Sequence, residues 1–172
     1  MRKKPRVVLV CGTPGTGKSV ASKLIKSILK NVTCMSVSRK VFEWDLTIAY
    51  DFERDTHIID FEKLSEKLRE EVEKLLRSGD SKVIVIETSY PCVLPDEIVD
   101  LVIVLKCPVN VLLERLERRE WPKIKIEENI ESEHLNVVLE EALTCFKPEK
   151  VICLESLSVE DLKRDLIQLL VR

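Results

Sequence analysis

Residues 12–19 read Gly-Thr-Pro-Gly-Thr-Gly-Lys-Ser and fit the pattern G-x-x-x-x-G-K-[ST] at every fixed position. An apolar run at residues 7–11 precedes them, and an amphipathic stretch at residues 18–30 follows. A glycine loop between a buried strand and a helix brings backbone N–H groups close to phosphate oxygens. We therefore predict a P-loop that binds ATP, in which Lys18 reaches the β- and γ-phosphates and the Ser19 hydroxyl coordinates Mg²⁺. A ligand-free glycine turn is the alternative, and such turns rarely carry Lys-Ser at this spacing.

The rest of the chain alternates between short apolar runs and longer amphipathic stretches. Strands that are apolar throughout and are separated by helices indicate a parallel sheet covered on both faces. We predict an α/β fold of the P-loop NTPase class, in which helices flank both faces of a parallel five-stranded sheet and residues 1–172 form a single domain. The predicted strands cover residues 6–11, 32–37, 82–86, 101–105 and 151–154. The predicted helices cover 18–30 and 60–77, a segment that begins at 108, one long stretch at 125–145, and the C-terminal segment from 158. Residues 38–56 lack a regular pattern.

The composition is that of a globular protein, with 45% hydrophobic and 34% charged residues in a chain of 172. The formal net charge of −2 argues against nucleic acid as the main partner. The basic run of Arg2, Lys3, Lys4 and Arg6 is interpreted as a solvated tail, with contact to RNA or a phosphate-rich surface as the alternative. Every apolar run is far shorter than the roughly 20 residues that cross a bilayer. We expect no membrane segment and a cytoplasmic protein.

The six cysteines form no CxxC pair, so the spacing of a zinc site is absent. Cys11, Cys107 and Cys153 lie in or beside apolar strands, where a free cysteine behaves as a small buried hydrophobe. We favour free thiols in a reducing compartment, and a disulfide is the alternative that the sequence leaves open.

Two further residues are candidates for the site because of where they stand in this pattern. Glu87 ends a predicted strand, and the carboxyl ends of strands face the ligand crevice in open α/β sheets. We expect its carboxylate to order Mg²⁺, through a water molecule, or to orient an attacking water; a loop cap is the alternative. Lys147 follows the long predicted helix and either approaches the adenine or faces solvent.

Three arginines follow the predicted strand at 101–105. Arg115 and Arg119 are four residues apart on a helix and share a face, and Arg118 adds charge beside them. Guanidinium groups suit a phosphate, and Arg119 precedes a Trp-Pro break that suits a lid over ATP. We expect Arg119 to neutralise charge during phosphoryl transfer. For Arg115, a solvated face paired with neighbouring glutamates is an equal alternative.

Nearly the whole chain resembles the adenylate kinase isoenzyme 6 family, also called the Fap7 family. The P-loop alone is generic, whereas the sequence ERLERREW followed by KIEENIESE is far more specific. The stretches that carry the resemblance are residues 12–19, 50–60, 87–95, 109–121 and 125–133.

The resemblance implies a compact P-loop kinase with a monophosphate-binding region at about residues 38–57 and a short lid at about 118–128. It implies conversion of ATP and AMP to two ADP, ATPase activity, and a role in maturation of the small ribosomal subunit. The implied partners are ATP, AMP, a platform ribosomal protein and, transiently, pre-ribosomal RNA. The ATP contacts that it implies are Gly15, Gly17, Lys18, Ser19, Val20, Arg119 and Lys147.

The chain departs from the family pattern on the acceptor side. Phe42 stands where the family has an arginine, Ala49 replaces a glycine, and Ser89 replaces a histidine tied to activity. Loss of a guanidinium that would bind the AMP phosphate argues for weakened AMP kinase activity. Two alternatives therefore stay open, a nucleotide-gated assembly factor with little kinase activity and a small-molecule kinase with another acceptor.

Overall fold

The computed structural model describes residues 6–155 and 158–171. Arg2, Lys3 and Lys4 of the basic run lie outside the described residues. The strands are β1 (Val7–Cys11), β2 (Val32–Ser36), β3 (Thr47–Asp51), β4 (Thr56–Ile59), β5 (Val83–Thr88), β6 (Leu101–Lys106) and β7 (Val151–Glu155). The α-helices are α1 (Lys18–Ile28), α2 (Val37–Glu43), α3 (Phe61–Ser78), α4 (Val109–Glu117), α5 (Lys123–His134), α6 (Val137–Cys145) and α7 (Val159–Leu170).

Five strands form one sheet in the order β2-β5-β1-β6-β7, and every neighbouring pair is parallel. This confirms the predicted five-stranded parallel sheet. At its centre Cys11, the last residue of β1, lies between Thr88 of β5 and Val104 of β6. The carboxyl ends of these three strands therefore meet at one edge of the sheet, which is where ligands bind in open α/β folds.

Helices cover both faces of the sheet, because its strands are apolar on both sides. One face carries α2, α3 and α6, and the other carries α1 and α7. Helix α3 follows the sequence pattern closely. It begins after Asp60, whose side chain accepts a hydrogen bond from the Lys63 amide, and it ends at Gly79 with φ of +73°. Aspartate is a common residue at the start of a helix, and glycine is common just after its end.

The long helix predicted over residues 125–145 is wrong, because two helices occupy this stretch. Helix α5 ends at His134, Asn136 adopts the left-handed conformation with φ of +57°, and α6 starts at Val137. Asparagine tolerates that conformation better than most residues. The break has a packing reason: α5 buries Ile126 and Ile130 against α4, whereas α6 packs on the central sheet.

Residues 38–56, which looked irregular, contain the rest of α2 and most of a two-stranded antiparallel hairpin of β3 and β4. The hairpin is exposed on most of its surface, and its pairing shifts register between Thr47 and Ala49. Alternation of apolar and polar residues arises when one strand face is buried, so an exposed hairpin leaves no such signal.

The expectation of free thiols is wrong for two cysteines, since Cys92 and Cys145 form a disulfide. The 3₁₀ turn Pro91–Val93 packs beside α6 and brings their Cα atoms to 5.6 Å across a sequence separation of 53. Cys11 and Cys107 are buried as expected. Cys153 is exposed, because β7 is an edge strand. No helix within the described residues has the length and apolar character needed to cross a bilayer.

Reduction of the Cys92–Cys145 disulfide is expected to lower the free energy of unfolding by about 2–4 kcal/mol, because the link restricts the unfolded chain. Urea unfolding with and without a thiol reductant measures the loss. The double variant Cys92→Ser/Cys145→Ser is the control, and reductant should leave its unfolding midpoint unchanged. Equal wild-type midpoints in both conditions would show that the link contributes nothing.

Candidate functional site

The phosphate loop connects β1 to α1 and depends on glycine at specific points. Gly15 and Gly17 have φ of +97° and +101°, in the region that disfavours side chains. At Gly12, a Cβ atom would lie 2.5 Å from the backbone oxygen of Leu105 on β6. The loop therefore packs closely against β6, and a residue larger than glycine at position 12 would clash with that strand.

Lys18 folds back over this loop. Its Nζ atom donates to the carbonyl oxygens of Gly12 at 2.7 Å and Thr13 at 3.1 Å. Burial lowers the pKa of Lys18 to about 8, although the carboxylates of Glu87 and Glu133 act in the opposite direction. The ammonium is thus poorly hydrated and held by neutral carbonyls, which leaves it ready to exchange them for an anionic phosphate.

Ser19 and Glu87 form a polar pair at the mouth of the loop. The Ser19 hydroxyl donates to Glu87 Oε1 at 3.2 Å, and Glu87 stands near the carboxyl end of β5. A hydroxyl and a carboxylate are hard oxygen ligands of the kind that Mg²⁺ takes together with substrate phosphates and water. Within the described residues no group of three or more His, Cys, Asp or Glu could hold a metal by itself. The donor set fits a metal that arrives with a nucleotide.

The segment after β6 brings arginines over the loop. Arg115 on α4 donates to the carbonyl oxygen of Gly15 at 3.1 Å, so part of its role is to hold the loop. Arg119 lies in the turn beyond α4, with its guanidinium 4.9 Å from the centre of the Trp121 ring. Lys125 approaches the same ring at 4.3 Å. Trp121 therefore fixes two cations beside the cleft. Arg118 is exposed and does not line it.

The start of α2 and the end of β5 also line the cleft. Arg39 and Ser38 of α2 face it, together with Ser89 after β5. Phe42 does not line it; its side chain is 60% exposed and packs edge-on against His57 of the hairpin. Arg39 stands one helical turn before Phe42 and places a guanidinium group in the wall of the cleft.

These groups surround one cleft of about 780 Å³, within the usual size range of small-molecule sites. Its described walls carry the cations Lys18, Arg39, Arg115 and Arg119 and the carboxylate Glu87, so the field inside favours polyanions. The candidate residues that the structure brings together here are Gly15, Gly17, Lys18, Ser19, Val20, Glu87 and Arg119.

Lys147 is not among the described residues that line this cleft, and it is exposed. Its position fits the solvent-facing alternative, and its approach to the adenine stays a prediction. It stands just before the 3₁₀ turn that leads into β7, and its backbone N–H donates to Asp96 at 3.2 Å. The cleft is built from segments that follow the strands, whereas Lys147 precedes one. The described wall beyond β7 is formed by Ser158, Val159 and Leu162.

Sequence reasoning missed Arg39, the ring contacts of Trp121 and a buried Glu133. Arg39 follows the second strand closely, so its position at a strand end was an available signal. Glu133 offered none, because it sits on a helix rich in glutamates and nothing in the pattern distinguishes it from its exposed neighbours.

Comparison with known proteins agrees with this geometry. The family model described as AAA domain matches residues 8–136. The Saccharomyces cerevisiae protein called adenylate kinase isoenzyme 6 homolog FAP7 is 36% identical over 155 residues, covering 90% of this chain and 75% of the relative. The chain belongs to the adenylate kinase isoenzyme 6 family. A Caenorhabditis elegans homolog of the same isoenzyme is 32% identical over 165 residues, covering 96% of this chain and 87% of the relative.

Solved structures agree on the fold of this family member. Shikimate kinase from Acinetobacter baumannii, in complex with shikimate, superposes with a TM-score of 0.66 over 98% of this chain and 94% of that chain. The identity is 16%, so this likeness concerns the fold alone. The P-loop kinase fold predicted from the sequence is confirmed, and the chain is a nucleotide kinase-like protein.

Replacing Lys18 by Met is expected to abolish ATP binding while leaving the nucleotide-free protein at least as stable at pH 7. The reason is that the wild type buries a charge. Its pKa is about 8 in the folded protein against 10.5 for a lysine side chain in water. The folded state therefore binds fewer protons between those values, and wild-type stability rises with pH in that window.

Thermal unfolding near pH 7 and near pH 9.5, together with an ATP titration, measures these effects. Any stability advantage of Lys18→Met should shrink at the higher pH. A variant clearly less stable than wild type near neutral pH would contradict the prediction.

Proposed function

We propose that this protein transfers the γ-phosphoryl group of ATP to AMP or a closely related monophosphate. The observation that carries the proposal is a single cleft with groups for two phosphate-bearing substrates. The phosphate loop with Lys18 and the Ser19–Glu87 pair would form its donor side, and Arg39 of α2, which lines the same cleft, would form its acceptor side, with Arg119 also in the lining. Family membership supports the same conclusion, since the yeast and nematode relatives are named as adenylate kinase isoenzyme 6 homologs.

On the donor side, the loop amides and Lys18 would hold the β- and γ-phosphates. Ser19 and Glu87 would hold Mg²⁺, with Glu87 acting through a water molecule, and the bound ion neutralises phosphate charge. Arg119 would stabilise the charge that spreads over the equatorial oxygens in the transition state. Val20, Val159 and Leu162 supply apolar surface to the wall of the cleft.

On the acceptor side, Arg39 takes the place of the arginine that the family carries at position 42. A guanidinium binds phosphate through two parallel hydrogen bonds, and Arg39 is directed into the cleft whereas Phe42 is not. The substitution at residue 42 therefore moves the acceptor cation by one turn and need not remove it.

The reaction requires no acid or base from the protein. An oxygen of the acceptor phosphate bonds to the γ-phosphorus while the bond from that phosphorus to the β–γ bridging oxygen breaks, and ADP leaves. The protein contributes positioning and charge neutralisation, which are the main terms in phosphoryl transfer. Water in place of the acceptor gives ATP hydrolysis at the same site, which is the ATPase activity that we also propose.

A coupled assay of purified protein with Mg-ATP and AMP, CMP, dAMP or no acceptor tests the proposal. We expect ADP formation that depends on AMP and disappears in Lys18→Ala. Arg39→Ala should raise the KM for AMP by roughly ten- to 100-fold, because hydrogen bonds to charged groups are the strong ones. The KM for ATP should change little.

Arg77→Ala, an exposed arginine on α3, is the matched control and should behave as wild type. Phosphate release without dependence on any acceptor would replace the kinase by an ATPase. ATP binding without either reaction would leave a nucleotide-gated binding protein, and turnover only with a different acceptor class would make it a kinase of another small molecule. An unchanged KM for AMP in Arg39→Ala would remove Arg39 from the acceptor site.

We propose a second role in maturation of the small ribosomal subunit, through a platform ribosomal protein. One observation favours a protein partner. Phe42, Ile48 and Phe52 are 60%, 66% and 87% exposed on α2 and the hairpin, beside the acceptor side of the cleft. Contiguous exposed apolar surface often marks a site of protein contact.

Co-purification with small-subunit ribosomal proteins, with and without ATP, tests this role. We expect a ribosomal protein to associate, and Phe52→Ser to weaken that association at least tenfold while the ATP affinity is unchanged. Val171→Ser, which removes an exposed apolar side chain distant from the hairpin, is the control. Failure to associate under either condition would remove the ribosomal role and leave the kinase proposal intact.

A further inference from the structure

Glu133 is a buried carboxylate that neither the donor side nor the acceptor side of the cleft uses. It lies near the end of α5 and is only 4% exposed. Its Oε2 atom accepts a hydrogen bond from the Thr13 hydroxyl at 2.6 Å, and its Oε1 atom accepts one from the Cys107 amide at 2.9 Å. Thr13 belongs to the phosphate loop and is 1% exposed. One side chain thus joins three segments.

The two hydrogen bonds explain why a charge is tolerated there. A buried carboxylate is costly unless its oxygens are hydrogen-bonded, and here each oxygen has a donor. The carboxylate also stands near the Lys18 ammonium and favours its charged form. A glutamate placed only for solubility would be exposed, as Glu131 is on the same helix.

The N-terminal half of α5 contacts the hairpin on the acceptor side. Glu128, in the middle of α5, accepts hydrogen bonds from Arg54 in the turn between β3 and β4, at 2.7 Å from Nη2 and 3.0 Å from Nε. Lys125, in the first turn of α5, donates to the carbonyl oxygen of Asp55 in the same hairpin turn, at 2.7 Å. Hydrogen bonds of charged side chains therefore attach the C-terminal end of α5 to the phosphate loop and its N-terminal half to the hairpin.

We propose that Glu133 is a positioning residue that makes the phosphate loop and α5 move together, so that nucleotide binding at the loop is transmitted through α5 to the acceptor-side hairpin. This inference rests on the proposed function, because it gives the hairpin the task of closing on the acceptor. A rigid helix transmits a displacement only if it is held at two separate places. The Thr13 and Cys107 bonds hold the C-terminal end of α5, and the Arg54 and Asp55 bonds hold its N-terminal half.

A merely structural role would make Glu133 matter for folding and not for communication between sites. The distinguishing quantity is the ratio of AMP affinities measured with and without a non-hydrolysable ATP analogue. Coupling between two sites is typically worth roughly five- to 150-fold. Coupling carried by the Thr13–Glu133 bond must fall when either partner is changed and must survive when both groups are kept.

Isothermal titration of AMP with and without the analogue is therefore performed on wild type and four variants. In wild type we expect the analogue to tighten AMP binding at least fivefold. In Glu133→Leu and Thr13→Val the ratio should fall to within about twofold of unity, since leucine accepts no hydrogen bond and valine donates none. Thr13→Ser keeps the hydroxyl and should keep the ratio, as should Glu131→Leu. Thermal unfolding of each variant identifies any that fails to fold.

An unchanged ratio in folded Glu133→Leu and Thr13→Val, or a ratio near unity in wild type, would overturn the inference while leaving AMP binding established. Absence of AMP binding in wild type would instead overturn the proposed acceptor. In that case, hydrogen exchange measured with the ATP analogue and no AMP tests the inference. Binding of the ATP analogue should protect α5 and the hairpin turn in wild type and Thr13→Ser, and not in Thr13→Val. Equal protection in all three would overturn it.

Discussion

The phosphate loop must hold its backbone amides open toward a ligand at the carboxyl edge of a parallel sheet, and a loop of this kind cannot support itself. Three contacts from other segments provide the support. The carbonyl of Leu105 on β6 leaves room only for glycine at position 12, Arg115 on α4 binds the carbonyl of Gly15, and Glu133 on α5 binds the hydroxyl of Thr13. All three supports come from one stretch of the chain, which runs from the end of β6 through α4 to the end of α5.

That arrangement connects the proposed lid to the loop. The residues between α4 and α5 carry Arg119 and Trp121, and the helices on either side of them are the ones that support the loop. The turn that would close over the nucleotide is thus held between two helices that both contact the phosphate loop. We therefore expect closure of this turn to depend on the spacing of α4 and α5 and to accompany ordering of the loop.

The sequence predicted the sheet, the loop and the donor-side residues because each leaves a local signature. Continuous apolar runs identify buried parallel strands, and the glycine-lysine-serine spacing identifies the loop. The structure of the acceptor side was harder to predict, because α2 is short and the hairpin is largely exposed. Neither segment therefore shows a clear periodic pattern of apolar residues. Comparison with a family pattern drew attention to the lost arginine at Phe42, but only the cleft shows that Arg39 faces the same space. Lys147 kept two interpretations because a lysine before a strand and one after it look alike in sequence, and the described lining of the cleft does not include it.

The break at Asn136 is the feature that sequence periodicity had least chance of finding, and it matters for the site. A single helix through residues 125–145 would have one direction, set by the packing of its second half on the sheet. Ending α5 at His134 frees its direction, so that α5 packs on α4 through Ile126 and Ile130 and still turns Glu133 inward to Thr13. The left-handed residue costs little at an asparagine. The interrupted helix therefore satisfies two packing surfaces at once, the sheet for α6 and the phosphate loop for α5, which one straight helix could not do.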